Sequence, residues 1–348
     1  MGGDPVELRE LTMRNGVSGH EGAVRRYLMD QARPYCDEMN VDRMGNLLCR
    51  VRGKNPLAGT VMVAAHMDEV GLIVRSIRED GLLRYEPVGS IDARVMVSKR
   101  VLVGDEELPG VIGAKAIHLQ SPEERNTPLS HEKLFIDIGC KDKASAEKRV
   151  SPGDYAAFMP LWIPFGKGFV MSKALDDRVG CYNMLRLMRT RQEMTVVYAF
   201  TVQEEVGLRG AQTAAWQIRP RCALVLEGTT ANDLGGIPHH QQVCRAGGGV
   251  AISFMDRSSI AHPGMFGVLR GIAQKEGIRW QLKRYVSGGN DAGKIQNARG
   301  AVPVAVLSVP CRYIHSPASV CCLADVEAQY ELALAYLAGG AAIQEGEK

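Results

Sequence analysis

Five short stretches of the 348-residue chain set imidazole or carboxylate side chains beside apolar runs. The first is Ala65-His66-Met67-Asp68, at the end of the run that starts at Thr60. Residues two apart on a strand point to the same face, so His66 can face outward with Asp68 beside it. A carboxylate next to a metal-bound imidazole orients the ring and raises its basicity. An isolated H-x-D triplet is often incidental. Its place at the end of a buried strand is where α/β sheets hold ligands. The second stretch, Ala174-Leu175-Asp176-Asp177-Arg178, opens a helix and would serve capping as well as ligation. In the third, Gln203-Glu204-Glu205-Val206-Gly207, adjacent carboxylates repel unless cations hold them, although a solvated turn also accommodates them. Leu226-Glu227-Gly228 and Arg312-Tyr313-Ile314-His315-Ser316-Pro317 complete the set. His66, Asp176, Glu205, Glu227 and His315 together offer the nitrogen and oxygen donors that suit zinc- or cobalt-like divalent ions. One ion needs only three or four of them. Five donors with Glu204 to spare point to two ions about 3.5–4 Å apart, bridged by a shared carboxylate and a water.

Those residues must be positioned by strands. Ser18-Gly19-His20-Glu21 reads as a capping box that starts a helix through Ala23, Val24, Tyr27 and Leu28, stopped by Pro34. Val41 to Arg52 reads as a hairpin turning near Gly45, and Thr60 to His66 as a strand buried on both faces. From about Val70 to Pro164 short strand-like runs are punctuated by Asp80-Gly81, Gly104-Asp105 and Pro152-Gly153, with one helix candidate near Ala144 to Lys148. After Lys173, strand and helix alternate: helices at 177–189, 208–217, 263–275 and 325–337, strands at 194–202, 222–226, 250–254, near 280 and at 302–307. Such alternation predicts an α/β fold, a three-layer catalytic domain around a mostly parallel sheet. The expected division is one α/β domain built from residues 1–69 and 165–348, with a small β-rich domain, 70–164, inserted.

Composition excludes several other classes. The net charge of +3 is too small to funnel nucleic acid or an anionic membrane toward the surface. No stretch approaches 18 apolar residues, and the first sixteen residues lack the apolar core of a secretory signal. Nine cysteines without a C-x-x-C pair read as reduced thiols of a cytoplasmic protein. Gly288-Gly289-Asn290-Asp291-Ala292-Gly293-Lys294 matches the spacing of a phosphate loop. Ile295 follows where a magnesium-binding Ser or Thr belongs, and Asp291 would repel phosphate, so the nucleotide reading is rejected. His118, His131, His239 and His240 lie in turn-like segments and receive no role.

With these stretches in order, the chain resembles the tetrahedral, dinuclear metallo-aminopeptidases. The resemblance rests on Ser18-Gly-His-Glu-Gly22, Met44-Gly-Asn46, Ala65-His-Met-Asp-Glu-Val-Gly71, Lys173-Ala-Leu-Asp-Asp-Arg178, Gln203-Glu-Glu-Val-Gly-Leu-Arg-Gly210 and Arg312-Tyr-Ile-His-Ser-Pro317, and spans nearly the whole chain. It implies a β-barrel-like dimerisation domain inserted into the catalytic domain. Asp176 would bridge two divalent ions, zinc or cobalt. His66 with Glu227 would complete one and Glu205 with His315 the other, Glu204 would be the general base, and Asp68 would orient His66. It also implies a cis peptide bond between Asp176 and Asp177. The family's commonest fifth ligand is Asp, whereas this chain has Glu227, longer by one methylene. The implied substrates are peptides with a free N-terminus, and the implied assembly is a homo-oligomer, a dimer or a twelve-subunit shell.

Three other functions compete. Paired carboxylates also cleave glycosidic bonds, but an endoglucanase would leave His66 and His315 idle and want more aromatic platforms than this chain's 6% supplies. A dinuclear deacylase or carboxypeptidase would share the ligand set and differ in needing a clamp for a carboxylate or acyl group. A metal-storing protein would have little use for Glu204. Neither the preferred first residue, nor the metal, nor dimer against dodecamer is decided by the sequence.

Overall fold

A computed structural model describes residues 5–343. Helices α1 (Pro5–Thr12) and α2 (Gly22–Ala32) precede a hairpin of β1 (Glu38–Val41) and β2 (Leu47–Val51). The hairpin turn is fixed by Asp42, whose Oδ1 accepts from the N–H groups of Met44, Gly45 and Asn46. An aspartate that caps the backbone just ahead of it is a standard turn-maker. Next comes β3 (Thr60–His66), with the bounds its apolar run predicts.

The chain then enters a closed barrel. Its strands are β4 (Gly71–Ile77), β5 (Leu83–Val88), β6 (Arg100–Val103), β7 (Leu108–Ala114), β8 (Leu134–Asp137) and β9 (Tyr155–Phe158), paired in the order β4-β5-β8-β7-β6-β9. Two short helices, α3 (Pro122–Asn126) and α4 (Lys143–Ala146), decorate it. The barrel has its own core, including Leu72, Val101, Ile112, Leu134 and Ile136.

After the barrel come β10 (Trp162–Phe165), β11 (Phe169–Ser172), α5 (Leu175–Leu187), β12 (Thr195–Thr201), α6 (Arg209–Ile218), β13 (Cys222–Thr230), β14 (Val250–Ser253), α7 (Pro263–Lys275), β15 (Trp280–Lys283), α8 (Ala292–Gln296), β16 (Val304–Arg312), β17 (Ser319–Cys322) and α9 (Leu323–Ala338). They build one large sheet in the order β1-β2-β12-β3-β13-β16-β17-β11-β10, with β14 also on β16 and β15 on β14. The central strands β12, β3, β13 and β16 run parallel. Along β3, Val61, Val63 and Ala65 pack into a core shared with α1, α2, α5, α7 and α9, while Met62 and Ala64 pack with α6 and α8 on the other face. Alternate residues thus enter two helical layers, which gives the three-layer α/β architecture. No helix among the described residues is long and apolar enough to cross a membrane.

Some expectations are corrected. The capping box at Ser18 does not form: α2 has no side-chain cap, and the Ser18 hydroxyl donates to Asp68 instead. The hydroxyl goes to a buried carboxylate rather than to a helix end already near water. β10, expected inside the inserted segment, pairs with β11 in the large sheet. β13 continues three residues beyond Glu227, because Gly228 to Thr230 stay in register with Val309 to Cys311 of β16. Glu227 is therefore held within a strand, not at its end.

Candidate metal centre

The parallel strands deliver their acidic and imidazole residues to one edge. β3 ends at His66, opposite Thr201 of β12, and the turn after β12 carries Glu204 and Glu205. Glu227 lies on β13 opposite Ser308, and His315 follows β16. Asp176 sits in the first turn of α5, where both Asp176 and Asp177 leave helical geometry and the bond between them is cis. Ala174, Gln203 and His315, which adjoin or belong to the cluster, all have positive φ (54°, 56° and 55°). Non-glycine residues there cost about 1–3 kcal/mol each and gather at sites that over-determine them.

Asp176 stands between two imidazoles. Its Oδ1 is 3.4 Å from His66 Nε2, and its Oδ2 is 3.8 Å from His315 Nε2. On the first side Glu227 Oε2 lies 3.6 Å from His66 Nε2, and on the second Glu205 Oε2 lies 3.2 Å from His315 Nε2. Donor atoms of His66, Asp176 and Glu205 lie within 4.8 Å of one another, and so do those of His66, Asp177 and Glu227. Asp176 Oδ1 and Glu227 Oε1 are buried and accept no hydrogen bond from any described residue. Buried carboxylate oxygens without a partner are costly. The donor chemistry and these orphaned oxygens fit divalent cations. Gly228 permits the close approach: a Cβ there would lie 2.8 Å from Asp176 Oδ1.

Electrostatics agree. Burial pushes the carboxyls of Asp177, Glu204 and Glu227 well above the ordinary range, their acidic neighbours adding to it. Burial likewise raises Glu205 to about 7. Burial lowers the proton affinity of His66, but its contacts with Asp176 and Asp68 outweigh that and leave it well above normal. For Asp176 and Asp68 burial is outweighed by the imidazoles, and both are held low. Six carboxyls and two imidazoles thus share one site, whose acids can all ionise together only where further positive charge is supplied.

Asp68 fixes the turn that bears the two glutamates. Its Oδ1 accepts from Glu204 N–H at 3.1 Å, and its Oδ2 from Glu205 N–H at 3.2 Å and from Ser18. The carboxylate is 3.6 Å from His66 Nδ1, while Asp68's own backbone carbonyl is nearer, at 3.2 Å. Glu204 faces a cavity of about 600 Å³ whose floor includes His66, Asp176 and Glu227.

Two members of the surroundings escape a sequence reading. Asp177 accepts from the N–H groups of His66 (3.3 Å) and Gly180 (3.1 Å), and joins the His66–Glu227 side. Asp291, in the rejected phosphate-loop match, accepts from the Thr201 hydroxyl, and burial raises its carboxyl to about 6. The adjacent pair Asp176-Asp177 was a signal for the first. Nothing in the sequence pointed to the second.

An α/β sheet with this cluster at its edge has the donor groups of a hydrolase site, and comparison with known proteins narrows the class to peptidases. Residues 45–332 match the model of the M42 glutamyl aminopeptidase family, and the chain belongs to that family. It is 30% identical to the lysyl aminopeptidase of Pyrococcus furiosus, covering 95% of both chains. Its fold matches the TET aminopeptidase of the Thaumarchaeota archaeon SCGC AB-539-E09 with a TM-score of 0.92, 33% identity and 95% of each chain covered. It also matches a Thermotoga maritima structure described as an endoglucanase, with a TM-score of 0.80, 34% identity, and 96% and 97% of the two chains covered.

Proposed function

We propose that the chain is a dinuclear metallo-aminopeptidase that removes the first residue of peptides with a free N-terminus. The placement of Asp176, one oxygen toward His66 and the other toward His315, is the observation that carries this reading. His66 with Glu227 and His315 with Glu205 would each hold one divalent ion, zinc or cobalt, and Asp176 would touch both. When bound, such ions lower the pKa of a water toward neutrality and polarise the carbonyl of the scissile bond. Glu204, free of protein hydrogen bonds through its side chain among the described residues, takes the proton of the attacking water on a carboxylate oxygen and passes it to the leaving amine. Asp68 keeps the Glu204–Glu205 turn and the His66 ring in place. The surplus of carboxylates attracts the substrate's α-ammonium group, which an N-acetyl block removes.

The endoglucanase description gains no support from the site, because glycoside cleavage leaves both imidazoles without work. We also assign the large sheet, β10 included, and its helices to catalysis; the barrel, β4 to β9, has a separate core and would be the dimerisation unit. The similarity to a TET aminopeptidase supports a homo-oligomer, up to a dodecamer. A monomeric mass by light scattering, with metal present, would refute it. Nine unpaired thiols support a cytoplasmic setting.

The test is release of the first residue from a panel of unblocked peptides and their N-acetyl copies, in zinc and in cobalt. Cleavage of unblocked peptides alone, abolished by chelator, is expected. Cleavage of the acetylated copies would instead favour a deacylase, which shares the ligand set.

A further inference from the structure

The two imidazoles of the cluster are held in different ways. The His66 ring is buried, and its Nδ1 lies 3.2 Å from the carbonyl of Asp68 and 3.6 Å from that residue's carboxylate. The His315 side chain is 34% exposed. Beyond its approach to Glu205 and Asp176, its ring makes no hydrogen bond among the described residues. A ligating imidazole is ordinarily oriented through its second ring nitrogen. Without that, His315 is placed by its backbone. The backbone there is constrained, with φ of 59° at Tyr313 and 55° at His315, a region that non-glycine residues keep only where the surroundings impose it.

Residues 313–318 connect β16 to β17. Within this loop the Ser316 hydroxyl donates to the Tyr313 carbonyl at 2.6 Å and accepts from Ala318 N–H at 3.3 Å. Of the side-chain hydrogen bonds made by residues 312–318 among the described residues, only those of Arg312 leave the loop. Arg312, the last residue of β16, holds Asp233 in a fork, Nε to Oδ1 at 2.7 Å and Nη2 to Oδ2 at 2.8 Å. A bidentate guanidinium–carboxylate pair fixes direction as well as distance. The Asp233 side chain is 4% exposed, and its Oδ2 also accepts from Ala246 N–H at 3.1 Å. Just beyond Ala246, the N–H groups of Gly247 and Gly249 are held by Asp325, in the first turn of α9, at 2.6 and 2.8 Å. Burial would raise the Asp233 carboxyl, but Arg312 outweighs it and keeps the group below its ordinary range. The pair therefore ties the root of the His315 loop, through Ala246 and its glycine neighbours, to α9.

We infer that Asp233, acting through Arg312, is the positioning residue for His315 and so sets how tightly the cation on the His315–Glu205 side is held. This rests on the dinuclear reading and deepens it. The ligands of the other side are placed by strands: His66 is the last residue of β3, and Glu227 lies inside β13 with its carbonyl held by Gln329. Loss of the fork therefore leaves those ligands where they are and frees the His315 imidazole.

The experiment uses the full chain and follows zinc, and separately cobalt, by competition with a calibrated chelator. His315→Gln first marks which ion depends on the imidazole. Asp233→Asn keeps the side chain's shape and an acceptor for Ala246 N–H but removes the charge. It should weaken that same ion by about 10–100-fold, the usual weight of a group that orients a ligating imidazole, and leave the other unchanged. Arg312→Lys, the milder variant, keeps the charge and loses the fork, and should weaken the same ion. Unchanged affinities, or weakening of an ion that His315→Gln leaves alone, overturn the inference. Uptake of a single ion by the unaltered protein would refute the dinuclear reading instead. Crystal structures of metal-free Asp233→Asn and of the unaltered protein then decide on Asp233 without any metal. Displacement of the His315 ring from Glu205 by more than about 0.5 Å, the tolerance of a productive site, keeps its role standing, and a ring that stays in place refutes it.

Discussion

Two buried charge clusters lie side by side, built from the same two sequence stretches, and they are balanced in opposite ways. Glu69 accepts from Lys173 Nζ at 2.6 and 2.8 Å and from Gly16 N–H at 2.9 Å, and pairs with Arg178 at 3.3 Å. Arg178 also donates to the carbonyls of Met67, Leu11 and Arg14, and Lys173 to that of Arg14. Each charged group there has protein partners. One residue before Glu69, and between Lys173 and Arg178, Asp68 and Asp176 belong to a cluster with six carboxylates, two imidazoles and orphaned oxygens. The first cluster ties α1, β3 and α5 together. In the proposed scheme the second is completed by cations from outside. Fully partnered buried charges brace a fold, whereas several orphaned carboxylate oxygens gathered around imidazoles mark a candidate ligand site.

The largest effect that tests this contrast is on Glu204, which carries chemistry without holding a cation in the proposed scheme. Glu204→Gln should lower kcat by about 10²–10⁴-fold, the usual weight of a general base. Metal content measured on the same preparation should stay at the unaltered level. Loss of metal along with activity would make Glu204 a ligand and break the assignment.

Next in size is the structural cluster. Glu69→Gln leaves Lys173 and Arg178 without their carboxylate, and breaking such a buried pair costs about 3–5 kcal/mol. Burial already draws Lys173 down to about 8 despite the pull of Glu69. Denaturant unfolding should show the loss while metal stoichiometry holds. Equal stability would mean that the network does not brace the fold.

The ligand cluster predicts a pH dependence of the opposite kind. Glu205 in the cluster, at about 7, and Asp291 beside it, at about 6, hold protons more tightly than they would in the unfolded chain. A raised carboxyl favours folding below its unfolded pKa, near 4.3 for Glu and 3.9 for Asp, and loses that contribution as pH rises through the folded value. The metal-free protein should therefore melt lower at pH 8 than at pH 5. Zinc at about a hundredfold its Kd should restore about 2.7 kcal/mol at pH 8 and much less at pH 5, where protons compete. A metal-free melting temperature that rises from pH 5 to pH 8 would contradict the unbalanced charge.

The legibility of the sequence follows the same division. Strands buried on both faces declare themselves as apolar runs, and β3 and α7 have the bounds their patterns predict. The residues that end such runs, His66 and Glu205, stood out for that reason. Partners supplied by distant segments did not. Ser18 resembles a helix cap locally, and only the fold brings its hydroxyl to Asp68, fifty residues away. Asp291 reaches Thr201 across ninety residues, and Gln329 of α9 donates to the carbonyls of Glu227 and Leu307, clasping β13 to β16. Such contacts depend on tertiary placement, which no local period encodes. The resemblance to the family supplied the pairing of ligands that spacing alone left open.

The smallest effect concerns Glu227, where the resemblance to the family implies a shorter ligand, Asp. Glu227 is fixed in the middle of β13, with its carbonyl held by Gln329 and Gly228 keeping room for Asp176, so its backbone cannot follow a shorter side chain. Glu227→Asp draws the carboxylate back by one methylene on the His66 side and leaves the His315–Glu205 side untouched. The nearby Asp177, which already contributes to the His66–Glu227 group, can compensate in part. Affinity for one of two ions should weaken within about tenfold, or about 1.4 kcal/mol, as read by competition with a calibrated chelator in zinc and in cobalt. The second ion should titrate as before. Equal weakening of both would show that the two sides are coupled through Asp176, and that the cluster behaves as one unit like its fully paired neighbour.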